Sequence, residues 1–352
     1  MITVNMAAYG LRNQYAALTQ EYRPDFAVGR ILSQEKGIYH LISEAGEQFA
    51  EVSGRFRHSA KSASDLPAVG DFVMIDCNSH KGNAVIHGVL PRKSVFIRKA
   101  AGKGNTEQVV AANIDTVFLC MSLNNDFNLR RLERYLSVAW NSGASPVIVL
   151  TKSDLCSDLE SFIRAVESVA LGTDIVVTSA MEEEGYGKLL PYIQDGQTVA
   201  LIGSSGVGKS TLINRLLGEN RLNTNGLRND DKGKHTTTRR ELFLLKQGGM
   251  VIDTPGMREL GLWDTDVGLD KSFSDIETLS AMCRFRNCSH TTEPDCAVKE
   301  AIAKGELSKE RLKSYQKLKS ESRYAEDTER YFAEKKQKFK NIAKINKENR
   351  GR

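Results

Sequence analysis

Residues Thr198 to Thr211 read TVALIGSSGVGKST. The apolar run Val199-Ala200-Leu201-Ile202 predicts a buried strand, and Thr211, Leu212, Ile213, Leu216 and Leu217 follow a helical spacing. Between them, Gly203-Ser204-Ser205-Gly206-Val207-Gly208-Lys209-Ser210 fits G-x-x-x-x-G-K-[ST] without a gap. Glycines let successive backbone N–H groups turn inward as an anion nest, and the helix N-terminus adds partial positive charge. The stretch Gly203–Thr211 is therefore expected to cradle a nucleoside triphosphate. Lys209 is expected to reach the β- and γ-phosphates, and the Ser210 hydroxyl to bind Mg²⁺.

Four further stretches share this chemistry. Asp253-Thr254-Pro255-Gly256 follows the apolar run Met250-Val251-Ile252, 43 residues beyond Ser210. Asp253 is expected to hold Mg²⁺ through water, with the Gly256 N–H facing the γ-phosphate. The polar loop from Asn223 to Arg240 contains His235-Thr236-Thr237-Thr238. A threonine of such a loop closes onto Mg²⁺ and the γ-phosphate in GTPases; Thr237 or Thr238 is the candidate, and spacing does not choose between them. Thr151-Lys152-Ser153-Asp154 ends the run PVIVL and matches N/T-K-x-D. Its Asp would accept the N1–H and 2-amino protons of guanine, donors that adenine lacks, so an unpaired carboxylate rejects ATP. Thr178-Ser179-Ala180 ends DIVV and matches the T/S-S-A loop, whose backbone N–H meets guanine O6.

The order of these parts is unusual. An ordinary GTPase runs phosphate loop, switch threonine, DxxG, base-reading motif, then SA. This chain runs TKSD, TSA, GSSGVGKS, HTTT, DTPG. The same parts in rotated order indicate a circular permutation cut before the fourth strand, which a fold with neighbouring termini tolerates. It leaves the segment after Asp253 covalently next to whatever follows.

At 352 residues the chain has room for two or three domains. Residues 1–25 read as a short helical or loose extension. From Phe26 to about Lys99, FAVGRILS, IYHLIS, QFAEVSGRF, DFVMIDC and NAVIHGVL read as five short strands, predicting an OB-type barrel over 26–103. Arg55, Arg57, His58, Lys61, Arg92, Lys93, Arg98, Lys99 and Lys103 cluster on it, a charge pattern suited to nucleic acid. Over 104–263 strand-like and helix-like runs alternate, predicting a parallel sheet covered by helices. ELFLLK and MVIDTP, joined by Gln247-Gly248-Gly249, read as a hairpin. From 264 onward the pattern is mainly helical, ending in a tail, 335–352, of charge +7 that leaves −2 on the remainder. An anionic partner, nucleic acid first, is the expectation for that tail.

Six cysteines are too sparse for a disulfide scaffold. Cys77, Cys120 and Cys156 read as small core residues. Cys283, Cys288, His290 and Cys296 place three thiols and an imidazole within 14 residues, a closed tetrahedral Zn²⁺ set with a structural role. No apolar run approaches ~18 residues and no signal pattern opens the chain, so a cytoplasmic protein without a membrane span is expected.

Together these motifs resemble the bacterial RsgA (YjeQ) GTPases of small ribosomal subunit biogenesis. The resemblance covers roughly Phe26 to Lys319. It rests on the rotated order and on PAVGDFV, NLRRLERYL, GSSGVGKSTLIN, KGKHTTTRREL, VIDTPGMREL and the Cys-Cys-His-Cys set. It implies an OB barrel, a permuted GTPase domain and a zinc domain. It also implies contact with the 30S subunit and its 16S rRNA, with GTP hydrolysis stimulated by that subunit and release after hydrolysis; the protein is expected to be a monomer. Thr151 stands where Asn is commoner, which puts one side-chain bridge in question. Met257 stands after DTPG where Ras-like enzymes place the water-orienting Gln, so slow intrinsic hydrolysis is expected and His235 becomes a candidate to position water. The same Met257 supports a competing reading, a nucleotide-gated RNA-binding scaffold with negligible turnover.

Overall fold

The computed structural model describes residues 3–12, 15, 25–77, 82–99, 107–182, 185–222, 240–253 and 266–322. Strands β1 (Ala27–Glu35), β2 (Ile38–Ser43), β3 (Gly46–Val52), β4 (Phe72–Asp76) and β5 (Ala84–Val89) pair in the cyclic order 1-2-3-5-4-1. Only the β3–β5 pair is parallel. The closed five-stranded barrel expected for this segment is present. Ile31, Leu41, Ala50, Val73, Ile75 and Ile86 fill it and are essentially inaccessible. One edge differs from the expected strands: SGRF leaves β3 and enters α1 (Gly54–Ser59). The Ser53 hydroxyl accepts the Phe56 N–H at 3.1 Å, capping a helix where an extended chain was expected.

Strands β6 (Val95–Lys99) and β7 (Glu107–Ala112) form a separate antiparallel pair beside the barrel. The second domain follows with β8 (Thr116–Ser122), α2 (Leu129–Ser142), β9 (Ser145–Thr151), α3 (Leu159–Glu167), β10 (Ile175–Val177), β11 (Thr198–Gly203), α4 (Lys209–Leu217), β12 (Glu241–Leu244) and β13 (Met250–Asp253). Its sheet order is 10-9-8-11-13-12, parallel except for β12, which forms the expected hairpin with β13. All six residues of β11 and all seven of β8 are buried, as strands covered on both faces must be. The two-residue alternation divides them. Val199 and Leu201 pack with Phe118 against Leu212 and Leu216 of α4, while Ala200 and Ile202 pack with Val117 and Leu119 toward Leu132 and Leu136 of α2.

Barrel and sheet are one continuous eleven-stranded surface, joined where Ser33 of β1 pairs with Glu241 of β12. Fully buried Arg30 crosses this joint. It donates to the Thr198 hydroxyl at 2.7 Å, to the Gly70 and Asn113 carbonyls, and to the Tyr9 carbonyl. Burial pushes its pKa down to about 10. The PAVGDFV stretch makes the same joint. Gly70 has φ +89°, and a Cβ there would lie 2.2 Å from the Ala112 carbonyl oxygen, so no other residue fits. Asp71 next to it is buried and takes a two-pronged contact from Arg92 at 2.7 and 2.8 Å.

The C-terminal part contains α5 (Asp266–Ser272), α6 (Ser274–Ser280), α7 (Ala297–Lys304) and a helix over 309–322, here α8. It is the mainly helical domain expected, and it docks on α2. A Cβ at Gly268 would come within 2.1 Å of the Ser137 carbonyl oxygen, so the α5 backbone sits directly on α2.

Candidate nucleotide site and metal centre

The carboxyl ends of the parallel strands β8, β9, β10, β11 and β13 bring Thr151–Asp154, Ser179, Ala180, the phosphate loop and Asp253 to one edge, where open α/β sheets take ligands. Gly203 ends β11 so close to β8 that a Cβ would meet the Cys120 carbonyl oxygen at 2.5 Å. Gly206 and Gly208 take φ of +73° and +102°, the left-handed geometry that turns the loop around. Lys209 spans it: its ammonium donates to the Gly203 and Ser204 carbonyls at 2.8 and 2.7 Å. Lys209 and Ser210 open α4, as the motif requires.

The base-reading stretches meet as well. The Ser179 hydroxyl, fully buried, donates to the Asp154 carboxylate at 2.5 Å and accepts the Met181 N–H at 3.1 Å. Lys152 has φ +59°, a left-handed turn that breaks β9 and starts the short 3-10 turn holding Ser153 and Asp154. Ala180 is half-buried beside them. Gly185 packs against the Ser179 carbonyl so closely that a Cβ would clash at 1.9 Å, which fixes the TSA loop. The bridge put in question at Thr151 is present: its buried hydroxyl donates to the Val207 carbonyl of the phosphate loop at 2.7 Å. A hydroxyl on the shorter side chain reaches because β9 and the loop lie close.

Asp253 ends β13 beside β11. Burial pushes its carboxyl up to about 6, and the Lys209 ammonium acts in the opposite sense. Asp253 at the end of β13 and Ser210 at the start of α4 carry oxygen donors of the kind Mg²⁺ takes with phosphate. Thr237, His235 and Gly256 lie outside the described residues. Two contacts were not expected from sequence. The Ser204 hydroxyl donates to the Asp126 carboxylate, and Arg131 holds that carboxylate at 2.9 Å. The signal was faint: Asn124-Asn125-Asp126 follows β8 at the same sheet edge, but has no spacing motif.

In the C-terminal domain the donor atoms of Cys283, Cys288, His290 and Cys296 all lie within 4.8 Å of one another. The Cys283 and Cys296 sulfurs are 3.8 Å apart, and His290 Nδ1 lies 3.7 and 3.5 Å from them. A tetrahedron with metal–sulfur bonds of about 2.3 Å has edges near 3.8 Å, so the set fits a four-coordinate metal. Ser280 Oγ meets His290 Nε2 at 3.0 Å and fixes the ring with Nδ1 turned to the thiols. The remaining cysteines differ from one another: Cys120 is buried as expected, Cys156 half-buried, and Cys77 exposed rather than in a core.

The family model described as RsgA GTPase matches residues 89–263. Small ribosomal subunit biogenesis GTPase RsgA 2 of Lactiplantibacillus plantarum is 49% identical over 325 residues, covering 92% of this chain and 91% of that protein. RsgA 1 of Oceanobacillus iheyensis is 47% identical over 327 residues, covering 92% and 93%. The chain belongs to the RsgA GTPase family. Among solved structures, YjeQ from Thermotoga maritima aligns with TM-score 0.62 at 27% identity, covering 83% of this chain and 97% of that one. YloQ, described as a circularly permuted GTPase, gives 0.61 at 27% identity over 85% and 96%. An ABC transporter model also matches 189–339, a stretch that includes the phosphate-loop motif common to P-loop nucleotidases. The rotated order of the motifs in this chain agrees with the description of YloQ as a circularly permuted GTPase.

The basic cluster read on the barrel is only partly available to a partner. Arg92 is committed to Asp71 and to the Ser64 and Leu66 carbonyls, and Lys93 to Asp115. Arg55, Arg57, His58 and Lys61 remain at the surface of and after α1. No helix among the described residues is long and apolar enough to cross a membrane. The +7 tail lies outside the described residues.

Proposed function

We propose that this chain hydrolyses GTP to GDP on the 30S ribosomal subunit, in contact with 16S rRNA, and assists late small-subunit assembly in the cytoplasm as a monomer. The observation that carries the guanine assignment is the Ser179–Asp154 clasp, anchored to the phosphate loop through Thr151 and Val207. It presents a carboxylate to the base in a fixed relation to the phosphates. In this reading Lys209 neutralises the β/γ-phosphates. Ser210, Thr237 and Asp253 hold Mg²⁺, which supplies further charge neutralisation when bound. The Gly256 N–H faces the γ-phosphate, and His235 positions the attacking water. Zn²⁺ in the Cys283, Cys288, His290 and Cys296 set holds the C-terminal domain together. The names of the relatives support the ribosomal part.

The test is GTP turnover with and without 30S subunits, joined to co-sedimentation with separated subunits in GDP and in a non-hydrolysable GTP analogue. The reading requires binding to 30S in the GTP-like state and faster turnover there, both lost in Lys209→Ala. Binding without stimulated turnover would favour the nucleotide-gated scaffold that Met257 suggests.

A further inference from the structure

A cavity of about 270 Å³ lies between the barrel and the β6–β7 pair, away from the phosphate loop. Gln34 and Lys36 line it from the end of β1 and the turn after it. Arg98 and Gln108 line it from facing positions of β6 and β7, and Arg240 from the residue before β12. Arg98 Nε and Nη2 both donate to Gln108 Oε1, at 3.1 and 3.0 Å, which fixes the guanidinium and leaves the Gln108 amide N–H groups to donate. Among the described residues no Asp or Glu lines the cavity, and Arg240 and Lys36 make no hydrogen bond or ion pair. Burial first, then the like charge of Arg98, pushes Arg240 down to about 10. A half-buried arginine set against another arginine is costly unless an anion joins them.

We propose that this cavity is a binding site for a phosphate group, chelated by the guanidinium forks of Arg98 and Arg240. Planar guanidinium groups match phosphate oxygens two at a time, and Lys36 adds a third charge at the mouth. The Gln108 amide, and the amide hydrogen of Gln34 that does not go to the Tyr39 hydroxyl (3.2 Å), can donate to the remaining oxygens. The phosphate could belong to a backbone phosphodiester of RNA lying across the barrel, or to a small phosphorylated molecule; the recognition chemistry is the same. The location gives the site a consequence. Arg240 precedes Glu241, which pairs with Ser33 of the barrel on one side and with Asp253 of β13 on the other. An occupant would therefore tighten the joint between barrel and sheet.

The test uses the full chain saturated with Mg²⁺ and a non-hydrolysable GTP analogue, so that the phosphate loop is filled. Inorganic phosphate is titrated against chloride at matched ionic strength and followed by ³¹P line width and calorimetry. One saturable site is expected. Arg98→Gln with Arg240→Gln should weaken it by about tenfold or more, as the loss of charge-assisted hydrogen bonds requires, with affinity for the GTP analogue unchanged. Lys36→Gln, at an exposed turn, should weaken it about threefold and serves if the double variant does not fold. A short single-stranded RNA is the second arm. Displacement of phosphate by that RNA assigns the site to the backbone, and retention assigns it to a small phosphorylated ligand. Absence of a saturable phosphate site in the unmodified chain, or unchanged affinity in the variants, overturns the proposal.

Discussion

Glu133 of α2 and Arg311 of α8 meet at 3.0 Å with both side chains almost wholly buried. Arg311 is also held by Asp275 at 2.7 and 2.8 Å and donates to the Ser272 carbonyl, while Arg130 and Ser314 hold Glu133. The nucleotide domain and the helical C-terminal domain are thus locked through one charge network. Breaking it from one side leaves a buried charge without its partner. Arg311→Ala is expected to lower stability by about 3 to 5 kcal/mol in urea denaturation. Glu133→Gln with Arg311→Met should cost less than that single change, because the fully buried carboxylate of Glu133 is removed together with its partner and only the partly exposed Asp275 loses its arginine. A single variant as stable as the unmodified chain would mean that the network does not hold the domains.

The Thr151–Val207 bond predicts a nucleotide phenotype without a change of fold. Thr151→Val keeps the side-chain volume but leaves the Val207 carbonyl unpaired, a loss of about 1 to 2 kcal/mol, or roughly tenfold in GDP affinity. Thr151→Ser should restore most of it. Equal affinities across the three proteins, measured by fluorescent-GDP titration, would leave the bond without a role in binding.

Asp154→Asn should weaken GTP and favour xanthosine triphosphate, because an amide can donate to the oxygen that replaces the 2-amino group. The measurement is competition between the two triphosphates. A GTP preference that does not move would remove Asp154 from base reading.

The metal prediction separates two parts of the molecule. Zinc analysis of the purified chain should give about one equivalent. Chelation, or Cys288→Ser, should unfold the segment around 275–300 and weaken 30S binding, while GTP affinity stays close to that of the unmodified protein. Zinc content below about half an equivalent would count against the four-ligand set.

His235→Ala tests how water is positioned. Nucleotide and subunit binding should survive, and the 30S-stimulated rate should fall by about a hundredfold, within the range for lost acid–base or positioning groups. A full stimulated rate would transfer that role to another residue or to the ribosome.

The local parts of the site were legible because they are contiguous in sequence. A glycine loop between strand and helix, TKSD and TSA at strand ends, and three thiols with an imidazole each declare their chemistry within a few residues. The barrel was legible from alternation and turn spacing, and its closure follows from pairing β1 with β4. What could not be read depends on distant packing. Nothing local tells that Thr151 reaches Val207, 56 positions away, or that Ser204 finds Asp126 across β8 and β11. Arg92 looked like an available surface charge because its partner Asp71 is brought in by the turn at Gly70. The SGRF segment has strand-like composition, but a capping serine outweighed it. Gly268 gave no sign that α5 would rest on α2, since close helix approach leaves only a missing side chain in the text.

The continuous eleven-stranded surface also bears on how the chain avoids sticking to its own copies. An open sheet has two terminal strands whose unpaired backbone groups can recruit a stranger. Here one end of the sheet curls back so that β4 returns to β1, and that margin disappears into the barrel. The other end is β10, only three residues long. Among the described residues, closing the barrel therefore hides one margin, the single Ser33–Glu241 pair seats the β12 side against it, and the stub that remains is too short to template a second chain.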